Sequence, residues 1–301
     1  MKILFSVITL VIFISCQSDL SQLESQLQHR FDEFDGVVGF YIRHFKRQQS
    51  ISINADTLFP TASLVKIPIL LSLFNRIETD RMNYRQDLVW YADSINYAYD
   101  GGILSSFEDG KKIALSKIIS LMIMYSDNHA SLWCQHLAGG GENINRWLEK
   151  NGYKKTRVNS RTPGRQNHWE KYGWGQTTPR EMAEMLVMIY ERRAVSAAAS
   201  EEMYRILANI YWDDEALSAV PPYVQTASKQ GAVSQSRSEV VLVNAPSGDY
   251  VFAVKTKNQQ DTSWKYGNEG YVLLRDISGL IWNFFEPDLP FSPAEGAEAY
   301  H

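Results

Sequence analysis

Strand-forming sequence sits at both ends of this chain with helix-forming sequence between, and that arrangement leaves few folds open. Near the start, Val37-Val-Gly-Phe-Tyr-Ile-Arg43 and Ser50-Ile-Ser-Ile-Asn54 are β-rich runs separated by a polar, basic turn, the pattern of a hairpin. Near the end the pattern returns in Tyr223 to Ser228, Glu239-Val-Val-Leu-Val243 and Tyr250-Val-Phe-Ala-Val-Lys255, the last two joined by Asn244-Ala-Pro-Ser-Gly-Asp249. Short strands need partners for their backbone N–H and C=O groups. The two ends are therefore expected to meet in one sheet.

The rest of the chain reads as helix. Leu20, Leu23, Leu27, Phe31 and Phe34 recur at threes and fours, which predicts a helix from Ser18 to about Phe34 with one buried stripe. A second amphipathic helix is expected from Gly270 to Phe285, and the stretch from Ser63 to Leu207 is dominated by helical periodicity, broken at Gly139-Gly-Gly141 and Thr162-Pro-Gly164. The expected fold class is α/β: a sheet flanked by the terminal helices (18–62 and 208–286), an inserted all-helical lobe (63–207), and a cleft where the two join. The tail beyond Glu286, with its Pro and Gly, is expected to be loose. At 301 residues, with 45% hydrophobic and 21% charged side chains, the chain has ample apolar surface for one large domain and is not a disordered one.

Charge and cysteine content narrow the function. Thirty Lys and Arg against 34 Asp and Glu leave a net charge of −4, with no basic block able to track a phosphate backbone, so no nucleic-acid partner is expected. Cys16 and Cys134 are the two cysteines, and neither they nor His29, His44, His129 and His136 have metal-ligand spacing, so no metal or other cofactor is expected. At the N-terminus, Lys2 precedes the apolar run Ile3 to Ile14, too short to span a bilayer and suited to a signal peptide over residues 1–15. Phe13-Ile14-Ser15-Cys16 resembles a bacterial lipobox, in which the cysteine becomes the lipidated N-terminus; Phe13 departs from its usual aliphatic first residue. An exported envelope protein, anchored to a membrane through Cys16 and monomeric, is the expectation. Cys134 is then expected to be a buried small hydrophobe.

Three short motifs can carry chemistry. In Phe59-Pro-Thr-Ala-Ser63-Leu-Val-Lys66 the serine opens a helix and the lysine follows one turn later, which sets an amine beside a hydroxyl that is a poor nucleophile until its proton is taken. Read alone, the pair also fits an N-cap serine followed by a solvated lysine. Tyr125-Ser126-Asp127-Asn128 lies within a helical pattern and offers a proton-relaying hydroxyl and an amide, or simply a helix start. Lys229-Gln230-Gly231 closes a predicted strand, where a cation beside a glycine suits an anionic ligand as well as an ordinary turn.

In this order, Ser63-x-x-Lys66, Ser126-Asp127-Asn128 and Lys229-x-Gly231 resemble the three-part signature of class A β-lactamases and penicillin-binding proteins. The flanks 122–130, 137–148 and 177–183 are similar to class A segments, and the likeness runs over residues 20 to 285. The resemblance implies a β-lactamase-like fold with a five-stranded antiparallel sheet. It further implies Ser63 as acylated nucleophile, Lys66 as its proton acceptor, Ser126 as proton donor to the leaving nitrogen, and Asn128 as holder of the substrate amide. Lys229, Gln230, Gly231 and Arg237 would seat a substrate carboxylate, and the backbone N–H groups of Ser63 and of Val233 or Ala232 would form the oxyanion hole. The implied ligand is a β-lactam or a peptidoglycan-derived small molecule.

Two positions depart from that pattern. Members of the family carry Arg-x-Glu-x-x-x-Asn on a loop, the glutamate activating the water that hydrolyses the acyl-enzyme. Here the matching stretch is Arg161-Thr-Pro163-Gly-Arg-Gln-Asn167, with a proline in place of the base. Positioned general-base assistance, worth about 10²–10⁴-fold, is expected to be missing there. His168 and Glu170, just downstream, offer another path to the water but read better as exposed loop residues. Gln230 replaces the usual Thr or Ser of the strand motif. The expected activity is therefore that of a serine hydrolase that acylates at Ser63 and deacylates slowly; a D,D-peptidase-like penicillin-binding protein, or a non-catalytic β-lactam or muropeptide-binding envelope protein, are the alternatives.

Overall fold

The computed structural model describes residues 20–97 and 102–300. The expected signal peptide over residues 1–15 and the expected lipidation site Cys16 lie outside these residues. Strands from both ends build one five-stranded antiparallel sheet, β1 (Val37–His44), β2 (Gln49–Ile53), β3 (Thr226–Val233), β4 (Ser236–Val243) and β5 (Tyr250–Lys257), in the spatial order β2-β1-β5-β4-β3. Long-range pairing of Val37 with Lys257 through His44 with Tyr250 joins the two ends. The strand expected over Tyr223 to Ser228 starts later and runs on through Lys229-Gln230-Gly231, because it pairs with β4 all the way to a tight turn at Ser234-Gln235. This extension places the lysine motif inside an edge strand rather than at its end.

Each face of the sheet has its own apolar layer, as the period-two alternation of β4 and β5 requires. Phe40, Ile42, Val241, Val243 and Phe252 face α1 (20–32) and α9 (Glu269–Phe285), packing on Leu23, Leu27, Ile277 and Trp282. The other face, with Tyr41, Val240, Leu242, Val251 and Ala253, joins a single large cluster that continues through the middle of the chain. That cluster includes α2 (Lys66–Thr79), α3 (Leu115–Met124), α4 (Asn128–Leu137), α5 (Gly140–Lys150), α7 (Pro179–Tyr190) and α8 (Ala197–Leu207). A short exposed helix, α6 (Gln166–Tyr172), sits on the connecting loop.

Local chemistry sets the helix starts that matter. Pro68 falls in the first turn of α2, where its missing N–H has no intrahelical role. Thr178 caps α7 by accepting from Glu181 N at 3.1 Å, with Pro179 at the first helical position. The Glu181 carboxylate in turn accepts from the backbone N–H groups of Lys154 (2.8 Å) and Thr156 (2.6 Å), pinning the incoming chain. The tail is less loose than expected. Trp282 Nε1 donates to Leu289 O at 2.8 Å, Phe291 N donates to Asn283 Oδ1 at 2.9 Å, and Phe291 packs on the outer apolar layer.

Candidate active site

Ser63 lies in a 3₁₀ turn, Ala62–Val65, that runs directly into α2. Ala62, the residue before it, holds φ at 45°, a left-handed conformation costing a non-glycine residue about 1–3 kcal/mol and kept only where surroundings over-determine it. One turn on, the Lys66 amine is fully buried, with Nζ 3.0 Å from Ser63 Oγ, 2.9 Å from Ser126 Oγ and 2.9 Å from Asn128 Oδ1, and in contact with the Ser126 carbonyl. Two of these oxygens, the amide and the carbonyl, can only accept; the two hydroxyls can also donate. A neutral amine satisfies the set, its two N–H groups serving the acceptors and its lone pair taking a hydroxyl proton. Burial first, and the charge of Lys229 second, hold Lys66 well below an ordinary lysine and favour that neutral form, against a smaller opposing pull from Asp127.

Ser126-Asp127-Asn128 does not lie within one continuous helix but forms the joint between two, its Asp127 and Asn128 giving the helix start that the motif also allowed. Tyr125 ends α3, Ser126 turns the chain at φ 57°, and Asp127 is the N-cap of α4, accepting from Ala130 N at 2.8 Å. The break is what aims Ser126 Oγ and Asn128 Oδ1 at one amine. The second Asp127 oxygen accepts from Leu104 N at 2.9 Å, tying down the 102–106 segment. Gly102 is required there: a Cβ would stand 2.6 Å from that carboxylate. Asn128 Nδ2 reaches Tyr97 at 3.3 Å.

The sheet edge closes the other side. A Cβ on Gly231 would lie 2.9 Å from Thr61 O and 3.0 Å from Ser63 N, so only glycine lets β3 run this close to the serine turn. Lys229 is fully buried; its Nζ donates to Gln230 O at 3.1 Å and to Gln230 Oε1. Burial depresses it to about 7, partly offset by Glu215 and Glu239. The cleft between these elements has a volume of about 650 Å³ and is lined by Ser63, Ser126, Asn128, Gln230, Gly231 and Ala232, with Tyr125, Tyr211, Trp212 and Trp264 as exposed aromatic neighbours.

Not every expected residue arrives. Val233 is at the hairpin tip and outside the cleft lining, whereas Ala232 is in it. Arg237 is buried but committed elsewhere. Its guanidinium donates to the carbonyls of Val233, Ser236 (3.0 Å) and Ser263 (2.5 Å), and stacks on the rings of Trp264 and Tyr271. The loop residues Arg161, Pro163 and Asn167 also stay out of the lining. Arg161 donates to Asn96 O at 2.9 Å, and Pro163 and Asn167 are exposed. Beside them a polar knot forms, Arg165 donating to Asn159 Oδ1 (2.8 Å) and Gln176 Oε1 (2.8 Å), with His168 on the same Gln176 oxygen. Glu170 is exposed and accepts from Gln166.

Sequence reasoning missed Glu215 and Glu239, two buried carboxyl groups beside Lys229. The available signal was a glutamate opening the apolar run Glu239-Val-Val-Leu-Val243 of a doubly covered strand. Cys134 is buried and unpaired among the described residues, and burial pushes its thiol far above an ordinary cysteine.

A model of a family described as the beta-lactamase enzyme family matches residues 22–285. Beta-lactamase VEB-1 of Pseudomonas aeruginosa is 19% identical over 293 residues, covering 94% of this chain and 96% of that protein. Among solved structures, PBP-A superposes with a TM-score of 0.78 at 23% identity, over 89% of this chain and 97% of its own. A beta-lactamase from Sphaerobacter thermophilus gives 0.77 at 22% identity, over 90% and 99%. These likenesses show the fold.

Proposed function

The chain belongs to the beta-lactamase enzyme family, and from that premise we propose that it is a serine hydrolase whose Ser63 is acylated by β-lactams or related cell-wall amides and whose acyl-enzyme is hydrolysed slowly. The observation carrying this reading is the Lys66 amine held within hydrogen-bond distance of both Ser63 Oγ and Ser126 Oγ. Ser63 Oγ attacks the amide carbonyl while its proton passes to Lys66 Nζ. The tetrahedral oxyanion meets the N–H groups of Ser63 and Ala232. The proton then travels through Ser126 Oγ to the departing nitrogen, the C–N bond breaks, and an ester remains on Ser63. A structure of a PBP-A variant as an acyl-enzyme complex with penicillin G, similar in fold, supports the same class of ligand here.

Slow hydrolysis follows from the carboxyl groups within reach. Among the described residues, the cleft lining contains Asp127 and Glu215. Asp127 uses its two oxygens on Leu104 N and Ala130 N, and burial pushes Glu215 toward its protonated form, so neither is poised to activate water. That shortage favours a penicillin-binding, D,D-peptidase-like role as the nearest alternative. No helix among the described residues is long and apolar enough to cross a membrane. The likeness of Phe13-Ile14-Ser15-Cys16 to a lipobox supports a reading in which lipidation at Cys16 attaches the protein to the envelope. Intact-mass measurement after incubation with benzylpenicillin tests the function. A mass increase of one intact penicillin in the wild type, absent in Ser63→Ala, is expected; no increase over hours defeats the reading.

A further inference from the structure

Two carboxyl groups outside the three motifs sit beneath the lysine-bearing edge of the cleft. Glu215 lines the cleft just before Ala216, and Glu239, on β4, accepts from Ala216 N at 2.8 Å through Oε2. Glu215 Oε2 and Glu239 Oε1 are buried without a close hydrogen-bond partner, the Ser228 hydroxyl being the donor turned toward Glu239. Two neighbouring buried carboxylates in that state would both be unsatisfied and would repel; one proton held between them satisfies both oxygens and leaves one negative charge. Lys229 is the nearby buried ammonium on β3.

The other charged and titratable groups facing this cluster are Asp214, Arg237 and Tyr271, with Lys66 facing Lys229 from α2 and the Ser228 hydroxyl beside Glu239. Arg237 donates from its two terminal nitrogens to backbone carbonyls and lays its faces on two aromatic rings, its Nε remaining without a partner, so it reaches the carboxyl groups through its charge alone. Lys229 has no carboxylate hydrogen bond either, donating to Gln230 alone. What remains for it is the field of the pair.

We propose that Glu215 and Glu239 act as one paired acid, sharing a proton and carrying a single negative charge, and that this pair is a positioning device holding Lys229 cationic behind the cleft. It gives the reaction proposed above its anion-seating charge, and to that extent rests on that reading, but the charge state of Lys229 can be read without any reaction. An uncompensated ammonium so deeply buried would lose its proton. A compensated one stays charged and, facing Lys66, helps keep that amine neutral.

The test is a nitrogen-15 NMR titration of the Lys229 side chain in the full-length protein, assigned by the loss of its signal in Lys229→Arg. Glu215→Gln replaces the shared proton with an amide N–H and preserves the single charge, so the Lys229 midpoint should stay within about 0.3 pH unit of wild type. The double variant Glu215→Gln/Glu239→Gln removes the charge, and the midpoint should fall by at least about one unit, a tenfold loss of proton affinity. A single variant that shifts as far as the double, or a double that does not shift, overturns the proposal. Should the double variant not fold, infrared difference spectra decide: a protonated-carboxyl band at neutral pH in wild type should vanish in Glu215→Gln, and its persistence or absence from both overturns the pair. Incubation with benzylpenicillin separates the two readings, since a missing adduct with the predicted titration defeats the function alone, and an adduct with the wrong titration defeats the pair alone.

Discussion

On the α2 side of the cleft, a buried amine is surrounded by oxygens from Ser63, Ser126 and Asn128 and cannot move without breaking them. On the loop side, from Arg161 to Tyr172, Arg161, Pro163, Asn167 and Glu170 are exposed, and Arg165 and His168 are held to Asn159 and Gln176 rather than to the cleft. The difference teaches how the site divides its work. Acylation needs a base whose proton affinity is altered by desolvation, and desolvation needs the packed junction of α2, α4 and the sheet edge. Hydrolysis needs a second base equally well enclosed. An exposed loop provides no such enclosure, whichever residue stands at Pro163.

Four changes would break or sharpen that contrast. Lys66→Ala should reduce the second-order rate constant for Ser63 acylation by fluorescent penicillin by about 10²–10⁴-fold, the range for a positioned general base; a loss under threefold would mean that another group takes the serine proton. Next comes Gly231→Ala, whose methyl group meets the backbone of Thr61 and Ser63. It should slow acylation by about tenfold and destabilise the fold by about 1–3 kcal/mol, the usual cost of overpacking, visible in thermal denaturation. Normal acylation and Tm would show that the serine turn yields.

The pH dependence is a third handle. Lys66 must be neutral to accept the proton and is held well below an ordinary lysine, so acylation should rise as pH increases through its depressed value. Lys229 must be charged to attract a carboxylate, so the rate should fall as pH rises through about 7. A bell-shaped profile for penicillin, losing its alkaline limb with the penicillin methyl ester, is expected; identical profiles for acid and ester would remove Lys229 from ligand binding. The smallest expected effect is that of Pro163→Glu. Because the position is exposed and outside the cleft, the adduct lifetime should stay within about twofold of wild type, far from the 10²–10⁴-fold of a placed base. Much faster adduct loss would show that the loop does reach the ester.

Much of the fold was legible because period-two and helical patterns are local. The hairpin of Val37–Arg43 with Ser50–Asn54 and the closing helix over Gly270–Phe285 appear in the structure nearly where their apolar residues place them. Ser63 and Lys66 meet as their spacing suggests and Ser126 and Asn128 join them as the resemblance implies, but the reason Ser126 points at Lys66 was not readable. It depends on a left-handed turn at a serine inside what looks like continuous helix, and only tertiary packing fixes that φ. Arg237 reads as a cation on or near a strand; its capture by Trp264, Tyr271 and Ser263 O depends on residues brought from the chain before α9 and from the first turn of α9. Glu239 left a trace as a charge opening an apolar run, whereas Glu215 is unremarkable until the fold buries it.

The lifetime of the acyl-enzyme tests the central claim most directly. Wild-type protein pulsed with excess benzylpenicillin, freed of ligand by rapid desalting and followed by intact mass should retain the Ser63 adduct for minutes or longer. Complete return to the free mass within seconds would mean that an efficient hydrolytic base is present, and the asymmetry between the two walls of the cleft would not describe this protein.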